Sequence, residues 1–232
     1  MQYGSQTVTD LHTWKPCAPP ALPSVRGAFV QIDVFSPERD RDGVFAAIGG
    51  AGNDALWRYI PFGPCTSADE LADAIVLVAD AQNWRTHIIR AAETGEILGM
   101  ASYMRIRPEA GSVEIGCIIF SKQLQRTPAA SEAMYLLARH IFDDLGYRRY
   151  EWKCNGDNAA SKSAAARLGF EFEGVFRQDM VVKGENRDTA WFSILDSEWP
   201  RLKAGFEAWL APENFDADGR QRRSLRQCRG GA

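Results

Sequence analysis

Glu114-Ile115-Gly116-Cys117-Ile118-Ile119-Phe120, followed by Gln125-Arg126-Thr127-Pro128-Ala129-Ala130, is the stretch on which the fold of this chain turns. The first segment is an apolar run of strand length, part of a strand predicted over 112–121. The second opens a helix: a threonine oxygen can cap free amides, and proline at the first helical position loses no intrahelical bond. From Pro128 to Leu145, residues Ala130, Ala133, Met134, Leu137, Ile141 and Leu145 recur at helical spacing, and Gly146 supplies the stop. A helix that starts just beyond a strand end presents unpaired N–H groups and the positive end of its dipole, which suits a phosphate.

Upstream of this junction, Thr86–Ala91 and Ile97–Ile106 alternate or run apolar. Turn-like segments, Glu93-Thr94-Gly95-Glu96 and Arg107-Pro108-Glu109-Ala110-Gly111, join them to the strand at 112, and the three read as an antiparallel meander. Earlier still, the pattern predicts a strand at Phe29–Val34 and helices at Arg39–Ile48 and Asp69–Asp80, the latter capped by Ser67. Downstream come a strand at Arg148–Cys154, a short helix at Ser161–Leu168 ended by Gly169, and a long hairpin, Phe172–Lys183 with Asp188–Leu195. Residues 1–28, with Pro16, Pro19, Pro20 and Pro23, read as an irregular arm. Residues 29–199 form the expected domain. Residues 200–232 read as a helix followed by a basic, disordered tail.

Composition limits what such a domain can do. Across 232 residues, 45% hydrophobic and 25% charged content is that of a soluble globular protein. No apolar run reaches membrane-spanning length, and the start, MQYGSQTVTD, has no signal-like core, so a cytoplasmic protein without membrane contact is expected. The five cysteines are odd in number and never spaced C-x-x-C, and the three histidines are scattered, so reduced thiols and no metal are expected. The net charge of −3 hides a division. Five arginines (220, 222, 223, 226, 229) lie in the last fourteen residues, which contain no acid, and residues 1–218 carry 22 basic against 30 acidic side chains. Without interleaved aromatics, the arginine tail does not read as a nucleic-acid site.

The order of meander, Glu-Ile-Gly-Cys-Ile-Ile-Phe strand, Gln125–Ala130 loop, amphipathic helix and strand leads into Asn158-Ala159-Ala160-Ser161 and Ala166-Arg167-Leu168-Gly169-Phe170. This order resembles the GNAT acyltransferases, specifically the RimJ/RimL-type N-acetyltransferase branch, over roughly residues 29–195. The resemblance implies an α/β (α+β) GNAT fold. Its mixed, mostly antiparallel sheet would be flanked by helices and splayed between the fourth and fifth core strands. It also implies an enzyme that moves acetyl from acetyl-CoA, its co-substrate, to a primary amine, first of all a protein N-terminus, by direct transfer in a ternary complex. A small-molecule amine or a longer acyl chain is the alternative within the fold, and a silent acyl-CoA-binding sensor the alternative of another class. The protein would act as a monomer or homodimer.

By the same resemblance, Ile118, Ile119 and Phe120 would bind the pantetheine arm as an added strand. Gln125, Arg126, Thr127, Ala129 and Ala130 would hold the pyrophosphate, and Asn158 the cofactor arm. Ser161 would hydrogen-bond or protonate the departing thiolate, although both Asn158 and Ser161 could instead be helix caps. The family's phosphate loop reads Q/R-x-x-G-x-G/A, and here Pro128 replaces the middle glycine and offers no N–H. Glu114 is the expected general base, with the amide of Ile119 polarising the carbonyl and Glu151 as the other candidate base. Trp57, Tyr59 and Phe62 would border the acceptor, and Trp191 would be core. The acidic body would favour a cationic acceptor by long-range attraction. Cys154, with no histidine placed to activate it, reads as a buried thiol.

Overall fold

β-Branched and apolar residues concentrate between 85 and 120, and there the chain forms its longest uninterrupted meander. The computed structural model describes residues 11–22 and 24–230; the first ten residues of the arm and Pro23 lie outside the described residues. The strands are β1 (Ser24–Arg26), β2 (Val30–Val34), β3 (Arg85–Ala91), β4 (Ile97–Arg107), β5 (Ser112–Phe120), β6 (Arg149–Asn155), β7 (Glu171–Val182) and β8 (Glu185–Leu195). They make one sheet in the order β1-β2-β3-β4-β5-β6-β8-β7. Every neighbouring pair is antiparallel except β5 and β6, which run parallel. Such a pair needs a crossover, and the crossover is the long amphipathic helix.

Helices cover both faces of the sheet. α1 (Pro37–Ile48) and α2 (Ala68–Gln82) enclose a smaller core of Val44, Ile48, Trp57, Leu71, Ile75 and Ile88. The larger core lies against α3 (Pro128–Arg139), α4 (Ala159–Leu168) and α5 (Trp199–Leu210) and contains Leu137, Tyr147, Tyr150, Phe170 and Trp199. The predicted caps are present: Ser67 accepts from the Glu70 amide and Thr127 from the Ala130 amide. The helical backbone from Pro128 extends to Asp144, as its periodicity predicts, but its last turn changes type. A single π turn, His140–Asp144, follows Arg139, and Gly146 at φ +67° then turns the chain toward β6.

Two segments differ from the sequence reading. β1 lies inside the stretch read as an irregular arm; Ser24, Val25 and Arg26 pair with Asp33, Ile32 and Gln31. The turn into β2 is held by buried Glu132 of α3, which accepts from the amides of Ala28, Phe29 and Val30 at 2.7, 2.7 and 2.8 Å. A three-residue strand has no period to read, and its anchor is a hundred residues away in the chain. The second difference is the basic tail. Residues 211–230 fold back on the domain: Asn214 donates to the carbonyls of Trp209 and Arg223, and α6 (Leu225–Cys228) starts with a Ser224–Gln227 capping box. Leu225 is buried, and Arg229 donates to the Arg167 carbonyl. The arginines are spaced around these anchors, so their charge masked a docked segment.

His87 on β3 is buried against Tyr103, with Nδ1 3.0 Å from the Arg85 carbonyl. Burial lowers its pKa to about 4, so the folded ring stays neutral where the unfolded one protonates. Stability from this group is complete above pH 6.5 and is lost as pH falls toward 4, by ~3 kcal/mol in all. Urea unfolding should therefore show a midpoint that falls between pH 7 and 5, and His87→Phe should flatten that fall.

Candidate active site

Strand pairing ends on a charged pair. β5 and β6 pair only over Ser112, Val113 and Glu114 against Arg149, Tyr150 and Glu151, and beyond that register they part. The last pair places two buried carboxylates side by side, Glu114 at 3% and Glu151 at 2% exposure. Lys153 lies two residues on and therefore on the same face of β6. Its Nζ is 3.0 Å from Glu114 and 2.8 Å from Glu151, and 3.8 Å from the centre of the Trp191 ring. Arg105 closes on Glu114 at 2.6 Å, while Arg107 and Arg149 close on Glu151 at 2.7 and 2.8 Å. Burial alone would raise the pKa of Glu151, but bonds from Lys153 and Arg149 and the charges of Lys153 and Arg107 outweigh it and hold it at about 2.

The parted strands open a cleft of about 1480 Å³. Its wall includes the free edge of β5: Cys117, Ile118, Ile119 and Phe120 all line it. The register of β5 on β4 shifts between the Met100–Ile119 and Ser102–Gly116 pairs, and Cys117 takes φ +46°. This bulge redirects the backbone at the middle of the cleft. Burial raises the Cys117 thiol to about 12, so it is no nucleophile.

Of the loop residues predicted to hold phosphate, Gln125, Arg126, Thr127 and Ala130 line the cleft together with Pro128, and Ala129 does not. Several predicted donors are used within the fold. Gln125 Nε2 donates to the Phe120 carbonyl, the Thr127 hydroxyl to the Leu124 carbonyl, and the Ala130 amide to Thr127 Oγ1. The amides of Arg126 and Thr127 have no partner among the described residues, and the Arg126 guanidinium is exposed. Arg126 holds φ +63°, a left-handed conformation that turns successive amides toward one side and costs about 1–2 kcal/mol in a residue with a side chain. The loop leaves two amides, one guanidinium and the start of α3 as donors, fewer than the sequence alone allows.

Asn158 and Ser161 both line the cleft and divide the roles predicted for them. Asn158 caps α4, accepting from the Ser161 amide at 3.0 Å, and keeps its side-chain N–H₂ for the cleft. Ser161 is inside the first turn and is not the cap. Its Oγ accepts from Trp152 Nε1 at 3.0 Å, and the hydroxyl proton is left to donate, with the Cys154 sulfur as its neighbour in the fold. Cys154 is buried next to it with a raised pKa, as a structural thiol should be.

Tyr59 and Phe62 line the cleft, but Trp57 does not. Trp57 is fully buried in the smaller core, where Nε1 donates to the Ile48 carbonyl at 2.7 Å. An indole whose polar edge finds a carbonyl is better used as core than as wall. Glu151 also stays out of the cleft, leaving Glu114 as the one carboxylate among its lining residues. Sequence reading missed Arg105, Lys153 and Arg187 as lining residues. The signal for Lys153 was present: Glu151 and Lys153 alternate with Tyr150, Trp152 and Cys154 along a central strand. Beyond the Gln125–Ala130 loop the cleft is walled by the fold-back, with Trp209, Phe215, Gly219 and Gln221 beside Arg167.

Comparison with known proteins gives a consistent family. Residues 32–171 match the Acetyltransferase (GNAT) domain. The chain is similar to a GCN5-related N-acetyltransferase from Brucella melitensis, at 40% identity and a TM-score of 0.89, over 94% of this chain and 99% of that one. A probable GNAT-family acetyltransferase from Chromobacterium violaceum is 37% identical with a TM-score of 0.77, over 84% and 98% of the two chains. N-acetyltransferase p20 of Bacillus licheniformis, itself described as uncharacterized, is 30% identical over 146 residues, 61% of this chain and 81% of that protein.

Removing the ammonium between Glu114 and Glu151 leaves two buried carboxylates facing each other. Lys153→Met should cost about 3–5 kcal/mol in urea unfolding at pH 8. The loss should be smaller at pH 4.5, where protonation relieves the repulsion.

Proposed function

The chain belongs to the GNAT acetyltransferase family, and from that premise we propose that it acetylates a protein N-terminal amine by direct transfer in a ternary complex. It is an acyl-CoA-dependent N-acetyltransferase; the identity of the acceptor and the residue roles are the proposal. One observation carries it: a single cleft runs from the Gln125–Pro128 loop, along the free edge of β5, to Ser161 and Glu114.

Acetyl-CoA supplies an acyl group activated as a thioester. The start of α3 and the amides of Arg126 and Thr127 receive its phosphates, with the Arg126 side chain adding a charge-assisted bond in place of the N–H that Pro128 lacks. The unpaired edge of β5 offers backbone groups to the arm, and Asn158 a side-chain amide. Tyr59 and Phe62 border the acceptor. Glu114, directly or through water, takes the proton an ammonium must lose before nitrogen can attack. As the new N–C bond forms and the C–S bond breaks, the Ser161 hydroxyl, its lone pair already engaged by Trp152, donates toward the departing sulfur. The sulfur leaves with the second proton of the amine.

Isothermal titration with acetyl-CoA, followed by a thiol-release assay over amines and peptides, tests this reading. Binding with turnover supports it, binding without turnover on any acceptor favours an acyl-CoA sensor, and absence of binding refutes both. Ser161→Ala should lower kcat about tenfold while the Kd for acetyl-CoA stays the same, the loss of one hydrogen bond at the leaving group. Glu114→Gln should lower kcat about 10²-fold near neutral pH, and an unchanged pH–rate profile would transfer the base role to water.

A further inference from the structure

The acceptor end of the cleft holds more positive than negative charge. Arg105, Lys153 and Arg187 line it against a single carboxylate, Glu114. Arg105 and Lys153 are committed to Glu114, and Lys153 to Glu151 as well. Arg187, on β8, is committed to nothing. It is half-buried, its Nε is fully buried without a partner, and its guanidinium makes no hydrogen bond, ion pair or ring contact among the described residues. Other half-buried arginines are satisfied: Arg90 by Asp33 and Asp40, Arg149 by Glu151 and Glu173, Arg139 and Arg148 by the rings of Tyr135 and Trp14.

Burying an unpaired charged donor is costly, and a fold that keeps one in a cleft wall keeps a binding group. The next two side chains on the same face of β8, Thr189 and Trp191, also carry buried polar atoms with no partner among the described residues, Oγ1 and Nε1. Arg187 lies across the strand register from Met180, which also lines the cleft, and within the electrostatic reach of Glu114 and Cys154. Cys154 adjoins Ser161, so this guanidinium borders the place of transfer and not the phosphate loop.

We propose that the acceptor amine belongs to a molecule with a carboxylate close to that amine, and that Arg187 receives the carboxylate. The inference deepens the reading above and rests on it in taking the acceptor to be an amine. A planar guanidinium matches a carboxylate through two parallel hydrogen bonds, and this pairing satisfies the orphan Nε. It also reverses the expectation drawn from the acidic body, because contacts inside a cleft outweigh a screened surface field. The carboxylate has two sources: a free amino acid, or an acidic first residue of a peptide.

The test compares matched acceptors, glutamate with its α-amide and with glutamine, and the peptides Asp-Ala-Ala and Asn-Ala-Ala as C-terminal amides. The wild type should favour the acid over its neutral partner by about 10–100-fold in kcat/KM, the worth of a charged hydrogen bond. The pair that discriminates identifies the source. Arg187→Met and, as a second variant, Arg187→Gln should bring the ratio within about twofold while the KM for acetyl-CoA is held. Equal use of acid and amide by the wild type, or a ratio unchanged in both variants, overturns the proposal. If no acceptor turns over, the reading as an amine acetyltransferase fails on its own, and calorimetry of the same compounds with the enzyme–CoA complex decides the remainder. Binding of the acids that is lost in the Arg187 variants sustains the anion site, and binding of neither member of any pair refutes it.

Discussion

One ammonium decides where this sheet comes apart. β5 and β6 meet in parallel register only as far as Glu114 and Glu151, and Lys153 sits between the two carboxylates. Without it, adjacent buried anions would repel; with it, they are pinned, and the strands can diverge from a fixed point. The arrangement is costly in desolvation and therefore demands near-complete satisfaction, which Arg105, Arg107, Arg149 and the Trp191 ring provide. The cleft is the consequence: its edge, its depth and the position of its one carboxylate follow from where pairing ends.

The Gln125–Ala130 loop shows a different balance. Pro128 begins α3 well but removes an amide from the family's pattern, and Thr127 spends its hydroxyl and the Ala130 amide on closing the turn. What remains is concentrated at Arg126, which combines a left-handed backbone with a charged side chain. A glycine there would relax the backbone at the loss of the charge. The chain has kept the strained alternative, which is the pattern expected where local strain serves binding.

Most of the framework was legible in the sequence because it depends on local regularities. The 3.6-residue period of α3, the Ser67 and Thr127 caps and the meander of β3 to β5 are visible within a short window. The site was half legible. Asn158 and Ser161 came from a spaced motif and Glu114 from its place on the strand before the loop, whereas the clamp around Glu114 depends on which residue of β6 faces which residue of β5, and no window contains both. Trp57 was misread for a related reason: an aromatic-rich stretch does not reveal that its indole N–H finds the Ile48 carbonyl. The tail was misread because charge was visible and its anchors, Asn214 and Leu225, were not distinctive.

The fold-back of residues 209–221 has a consequence for assembly order. The other walls of the cleft, from Ala55 to Arg187, precede it in the chain, and the segment beyond it is packed down on α5, with Arg229 where a side chain on Gly205 would stand, its Cγ 2.2 Å from the missing Cβ. A newly made domain can therefore form its sheet, part its strands and set its carboxylates while one end of the cleft is still open. Docking of this segment adds the last wall of the cavity, so a ligand that touches that wall adds its binding energy to the stability of the docked arrangement.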